Sequence, residues 1–282
     1  MFLFHTKVEL QAYLATFHKT NQAIGLVPTM GAIHRGHLSL MEQSLRENGC
    51  TVVSIFVNPT QFNNAEDLAK YPRTLERDLA IIRSLSDHIV VFSPSVEEMY
   101  TGQTVAKNFD YDGLEFEMEG AQRPGHFDGV GTIVNKLFEV VQPTHAYFGE
   151  KDFQQLQIIR KLVEKEQLEV KIIGVPIFRA QDGLAMSSRN ERISMEGLKK
   201  STFLYDVLKQ AHALFKTEEI EKVNQFVESQ FKNNSTFDLE YFTIADEETL
   251  KVVTVKQAGH AYRGFIVAHI EGVRLIDNLS FN

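Results

Sequence analysis

Five short apolar runs punctuate the first part of the chain, at residues 23–27, 51–57, 88–92, 144–148 and 169–175. Between them lie segments whose apolar residues recur at helical spacing, at residues 38–45, 73–85, 129–141 and 153–166. The run Thr51-Val52-Val53-Ser54-Ile55-Phe56-Val57 is β-branched and nearly continuous, the pattern of a strand buried on both faces. Strands alternating with helices in this rhythm are joined by right-handed crossovers and form a parallel sheet. In such sheets ligands bind beyond the carboxyl ends of the strands. The loops after Val27, Val57 and Phe148 all leave such ends and are expected to converge.

The rest of the pattern is less regular. Residues 8–17 read as an amphipathic surface helix, residues 101–116 as short strands or a flap, and residues 120–127 as a punctuated loop. After Pro176 the character changes: helical patterns at 195–215 and 218–231 precede strand-like runs at 239–244, 251–255 and 265–270. The fold class is therefore α/β, a Rossmann-like doubly wound parallel sheet (residues 1–175) with a smaller C-terminal α+β domain (residues 176–282).

Composition removes several function classes. The single cysteine, Cys50, allows no intrachain disulfide and no cysteine-based zinc site, and it opens an apolar strand as a small buried residue would. The N-terminus has no basic segment followed by a long apolar core, and no apolar run reaches the roughly 18–20 residues of a membrane span. A formal net charge of −8 without a dense Lys/Arg run argues against a nucleic-acid partner, though not against a local pocket for an anionic nucleotide. A cytoplasmic protein with neither a membrane nor a nucleic-acid partner is expected.

The first converging loop reads Pro28-Thr29-Met30-Gly31-Ala32-Ile33-His34-Arg35-Gly36-His37. It joins a strand to a helix, and in the first helical turn His34 and His37 share a face. Backbone N–H groups and the positive dipole end of that helix favour a phosphate. A histidine pair beside glycine is also ordinary turn chemistry, so the assignment depends on distant segments. The second loop offers Asn58 and Gln61, neutral groups suited to a hydroxyl or a carboxylate. The third offers Gly149-Glu150-Lys151-Asp152, then Gln154 and Gln155; its lysine can neutralise phosphate charge and its aspartate can orient a hydroxyl or a hydrated metal ion. Further on, Met186-Ser187-Ser188-Arg189 places two hydroxyls and a cation together, a clamp for a triphosphate tail or a simple turn. His126, His145 and His88 read as loop or structural residues.

Together these strings resemble a known family. The first loop is a form of the HxGH signature of class I nucleotidyltransferases, and Met186–Arg189 is similar to their KMSKS-type loop with the lysines absent. Ser54–Phe62, Tyr71-Pro72-Arg73-Thr74, Arg123-Pro124-Gly125-His126-Phe127, Phe148–Leu156 and Arg274-Leu275-Ile276-Asp277-Asn278 resemble the pantothenate synthetase (pantoate–β-alanine ligase) family over the whole chain. The resemblance implies that ATP and pantoate form a pantoyl adenylate with loss of pyrophosphate, and that β-alanine then displaces AMP. Both nucleophiles come from substrates, so the protein has to position reactants and neutralise charge on phosphate.

By the same resemblance His37, His34 and Lys151 are catalytic, with His37 a proton donor in its imidazolium form. Met30, Gly31, Ala32, Ile33, His34, Arg35, Gly36, His37, Gly149, Glu150, Lys151, Asp152, Phe178, Met186, Ser187, Ser188 and Arg189 line ATP. Gln61, Gln155, Asn58 and Arg123 serve pantoate and β-alanine. Mg2+ is carried by the ATP phosphates, so no protein metal ligand is expected, and the larger domain forms a homodimer. The second domain closes over the ATP site. Thr60 stands where this family commonly has methionine, and Phe178 where a smaller apolar residue is usual.

Overall fold

A computed structural model describes residues 1–282. The chain divides into two units, Met1–Pro176 and Ile177–Asn282.

The first unit runs β1 (Phe2–Phe4), α1 (Lys7–Lys19), β2 (Ile24–Thr29), α2 (Arg35–Glu47), β3 (Cys50–Ile55), α3 (Ala65–Lys70), α4 (Leu75–Leu85), β4 (Val90–Phe92), α5 (Val96–Met99), α6 (Met118–Gln122), α7 (His126–Val141), β5 (His145–Gly149), α8 (Phe153–Lys165) and β6 (Lys171–Val175). Its six strands lie in the order β1-β4-β3-β2-β5-β6, with every pairing parallel. From β2 the chain builds outward to β3 and β4, then returns to place β5 on the other side. The reversal of strand order therefore falls between β2 and β5. One face of the sheet (Val27, Val53, Ile55, Val91, Tyr147, Val175) packs against Leu38, Leu40 and Met41 of α2 and Ile82 of α4.

Pro28 shapes this reversal point. The Ile24 carbonyl accepts from Thr144, whereas that of Thr29 accepts from Phe56, so even-numbered residues of β2 face β5. Pro28 occupies a position whose missing N–H would have served β5. The β2–β5 ladder indeed holds only Gly25 to His145 and Leu26 to Ala146, while β2 stays paired with β3 through Thr29. Beyond Leu26 the ladder between the two central strands ends, at the carboxyl side of the point where the strand order reverses, the place where ligands bind in such sheets.

Two expectations in this unit are corrected, and one strand is added. Residues 101–116 contain no strand: the N–H groups of Lys107 and Phe109 donate to side chains of α7, to Thr132 at 2.8 Å and Asp128 at 3.2 Å, instead of to a ladder. Residues 120–127 are not a plain loop, because α6 ends in them and α7 begins at His126. A short N-terminal strand, β1, pairs with β4 at the sheet edge.

The second unit holds α9 (Met195–Ser201), α10 (Phe203–Phe215), α11 (Ile220–Lys232), β7 (Asp238–Asp246), β8 (Tyr262–Ile270) and β9 (Val273–Ser280). Its three strands form an antiparallel sheet, β7-β8-β9. Val207, Leu208 and Ala211 of α10 and Val223 and Val227 of α11 pack with Ile266 and Ala268 of β8 in its core. The strand expected at 251–255 does not form. Asp246 accepts from the N–H groups of Glu248 and Thr249, reverses the chain, and leaves one bridge between Ala245 and Val252. The helical pattern at 195–215 is two helices, broken at Thr202.

Candidate active site

The loop that leaves β2 is held from beneath by Asp78, in the first turn of α4. The buried carboxylate accepts the N–H groups of Ala32 at 3.0 Å and Ile33 at 2.8 Å and the Thr74 hydroxyl at 3.3 Å. Gly31 and Ala32 both have positive φ, 82° and 50°. A Cβ on Gly31 would meet Asp78 Oδ2 at 2.9 Å, so only glycine admits both the turn and the anchor.

The histidine pair caps its own helix. His34 Nδ1 accepts the Gly36 N–H at 3.1 Å, and His37 Nδ1 accepts the His34 N–H at 3.3 Å. The rings lie side by side, with centroids 4.0 Å apart. Of the N–H groups around this helix start, the imidazoles take those of His34 and Gly36, and Asp78 takes those of Ala32 and Ile33 in the loop before it. An imidazole whose Nδ1 accepts carries its hydrogen on Nε2. Both rings can then donate from Nε2, each polarised at Nδ1 by a backbone donor.

The expected imidazolium at His37 is corrected. Burial, then His34, then the Lys151 ammonium push its pKa down from 6.5 to about 3. His37 is therefore neutral near pH 7. That Lys151 acts on His37 brings the loop after β5 within electrostatic range of the loop after β2. Lys151 stands in a 3₁₀ turn, Glu150–Asp152, between Gly149 at the end of β5 and the start of α8. Gly149 has open space where a Cβ would be, and Asp152 is exposed.

The loop after β3 is built around Asn58. Its buried amide donates to Gln61 Oε1 at 3.1 Å and the Gly129 carbonyl at 3.0 Å, and its Oδ1 accepts from Tyr100 at 2.6 Å and Thr60 at 3.1 Å. Asn58 therefore points inward and orients Gln61. The Gln61 Nε2 reaches Met30 Sδ at 3.2 Å, which joins the second loop to the first. The Gln61 carbonyl accepts from His126 Nδ1 at 2.8 Å and from Arg123 at 3.3 Å. Burial, then Arg123, hold the His126 pKa down at about 4. Gly129 of α7 lets the helix lie on this turn: a Cβ there would sit 2.4 Å from the Thr60 carbonyl oxygen.

The two glutamines of α8 differ. Gln154 is buried and fully engaged, donating to the carbonyls of Leu114 at 2.9 Å and Glu117 at 2.7 Å and accepting from Glu119 at 3.0 Å. Gln155, half-buried, makes no side-chain hydrogen bond to the protein. Cys50 is buried at the start of β3, and burial pushes its thiol up to about 11, so it is no nucleophile.

Phe178 and Met186–Arg189 lie in the second unit. The Phe178 carbonyl accepts the Met186 N–H at 3.0 Å. Ser187 Oγ caps the following turn by accepting the Arg189 N–H at 3.3 Å, while Ser188 is half-buried and Arg189 exposed. No group of three or more histidine, cysteine or acidic side chains is arranged to hold a metal ion.

A model of the pantoate-beta-alanine ligase family matches residues 2–280. The chain belongs to that family. Among the pantoate-beta-alanine ligases similar to it is the pantothenate synthetase of Flavobacterium psychrophilum, 54% identical over 280 residues, which span 99% of each chain. The crystal structure of pantothenate synthetase from Thermus thermophilus superposes with a TM-score of 0.90 at 41% identity, covering 100% of this chain and 99% of the other. The pantoate-beta-alanine ligase of Francisella tularensis, a complex with beta-gamma ATP and beta-alanine, gives 0.76 at 32% identity, covering 100% and 98%.

Within this family member, motif reading passed over Asp78 and undervalued His126. Neither carries a local signal: Asp78 meets its loop across 45 residues of sequence, and His126 meets Gln61 across 65. Thr60 is not an idle replacement, since its hydroxyl lies 3.0 Å from that of Tyr100 and closes the triangle with Asn58.

Proposed function

We propose that the carboxyl-end crevice between β2 and β5 is where this ligase joins pantoate to β-alanine at the expense of ATP. A pantoate carboxylate oxygen attacks the α-phosphorus, and the bond to pyrophosphate breaks with its electron pair leaving on oxygen. The β-alanine amine then attacks the acyl carbon of the pantoyl adenylate, AMP departs, and the amine gives up its proton. No enzyme nucleophile takes part, so the protein's contribution is geometry and charge.

His34 and His37 donate from Nε2 to phosphate oxygens, and Lys151 neutralises the charge that builds as pyrophosphate leaves. Met30, Gly31, Ala32, Ile33, Arg35 and Gly36 line ATP on one side, Gly149, Glu150 and Asp152 on the other. Gln61 and Gln155 hold pantoate through amides that add no charge, and Asn58 and Arg123 act by fixing Gln61. Phe178 borders the adenine, and Ser187, Ser188 and Arg189 with Met186 bind the triphosphate tail. Mg2+ travels on phosphate oxygens and water, with the exposed Asp152 suited to a hydrated ion. The protein works in the cytoplasm as a homodimer formed through the first unit.

One observation carries this reading: the paired imidazoles of His34 and His37 stand at the carboxyl end of β2, within electrostatic range of the Lys151 ammonium that follows β5. The test is AMP release with ATP, pantoate and β-alanine, each omitted in turn, in wild type and His37→Ala. AMP release requires all three, and His37→Ala lowers it on the order of 10²-fold or more. Wild-type turnover in that variant refutes the role given to His37.

A further inference from the structure

The C-terminal string Arg274-Leu275-Ile276-Asp277-Asn278 has no part in the chemistry above, yet its centre is buried and charged. Asp277, on β9, forms a two-pronged pair with Arg179: Nη1 to Oδ2 at 2.6 Å and Nη2 to Oδ1 at 2.8 Å. The same guanidinium donates to the Gly183 carbonyl at 3.1 Å and the Asn278 carbonyl at 3.3 Å, and stacks 3.7 Å from the centre of the Tyr205 ring of α10. Asn278 is itself held, its Oδ1 accepting from Arg263 at 2.7 Å.

Arg179 begins a short arm. Residues 179 and 185 bridge in antiparallel fashion, Ala180 N–H donates to the Leu184 carbonyl at 2.9 Å, and the return ends at Met186. The buried Asn190 donates to the Ala185 carbonyl at 3.1 Å, which fixes the far side. Ser187, Ser188 and Arg189 follow directly. A planar guanidinium that grips the arm's turn, the sheet and α10 at once sets its direction.

We propose that Asp277 and Arg179 are positioning residues for ATP: their ion pair aims the arm that carries Ser187–Arg189. This rests on the reading of those three residues as the triphosphate loop. Neither member of the pair touches ATP in the proposal.

The test uses the full chain with Asp277→Asn, Arg179→Lys and, as a matched control, Glu240→Gln. Glu240 makes an equally two-pronged pair with Arg274, at 2.8 and 2.9 Å on the same sheet, but does not bond to the arm. ATP and pantoate KM are measured by pyrophosphate exchange, with thermal midpoints alongside. Asp277→Asn and Arg179→Lys raise the ATP KM by about 10-fold or more while pantoate KM stays within about twofold. Glu240→Gln lowers the midpoint without moving the ATP KM. An unchanged ATP KM in Asp277→Asn, or an equal rise in Glu240→Gln, overturns the proposal. If Asp277→Asn does not fold, Arg179→Lys decides by the same criterion. Ser187→Ala and Arg189→Ala separate the two layers. If they leave the ATP KM unchanged, the loop reading fails; if they raise it and the ion-pair variants do not, only the positioning role fails.

Discussion

Replacing Asp78 by asparagine isolates what holds the histidine loop. The carboxylate accepts two backbone N–H groups, from Ala32 and Ile33, and the amide that replaces it can accept only one. The other N–H then faces an NH2 group. One charge-assisted bond is lost, and a donor is stranded in a buried place, together about 2–4 kcal/mol. Ala32, held at a φ of 50°, is released to relax into an ordinary conformation, which draws His34 and His37 out of line. If that energy has to be recovered in the adenylating complex, kcat/KM for ATP falls roughly 30- to 1000-fold. Pantoate-dependent pyrophosphate exchange, without β-alanine, reads this directly, and circular dichroism shows whether the sheet is intact. A folded Asp78→Asn variant with wild-type kcat/KM for ATP would mean that Asp78 does not hold the histidine loop in its working position.

His37 and His126 are held near 3 and 4, well below 6.5, so the unfolded chain binds more protons than the folded one as pH falls below the ordinary histidine range. The stability they contribute is complete above pH 6.5 and is lost as acid approaches their folded values; the urea midpoint of His37→Asn should fall less steeply from pH 7 to 4.5 than that of wild type, which is read by fluorescence or circular dichroism. Gly129→Ala drives a methyl group to 2.4 Å from the Thr60 carbonyl and 2.7 Å from Gln61 Cα. It should raise the pantoate KM by about 10-fold or more through displacement of Gln61, and an unchanged pantoate KM would contradict the close approach. Gln155→Ala should weaken pantoate binding with little change in melting temperature. Gln154→Ala removes the three hydrogen bonds of a buried amide and should lower the midpoint by several degrees, which calorimetry distinguishes.

Much of the sheet is legible in the sequence because its central strands are β-branched runs buried on both faces, as at Thr51–Ile55, and their carboxyl-end loops carry the polar residues. What escapes has identifiable causes. Phe2–Phe4 is too short to show a period, and it is a strand only because β4 lies beside it. The start of α7 is hidden by Pro124 and Gly125, which read as loop although His126 and Phe127 are already helical. Lys251–Val255 has strand composition, but the Asp246 turn consumes the N–H groups that precede it. In the candidate site residue types are readable and their states are not. Two histidines three apart announce a polar loop, yet the position of their hydrogens follows from capping geometry, and the neutrality of His37 from burial, His34 and the Lys151 ammonium. Asn58 looks like a ligand for substrate until its four partners are seen to be protein atoms.

The central claim is that this crevice activates a carboxylate by joining it to the α-phosphate of ATP. Pantoate labelled with 18O in its carboxylate tests it directly. The account predicts that one labelled oxygen leaves in AMP, carried across the acyl adenylate, with none in inorganic phosphate or pyrophosphate. Label in inorganic phosphate, with ADP as the nucleotide product, would contradict it.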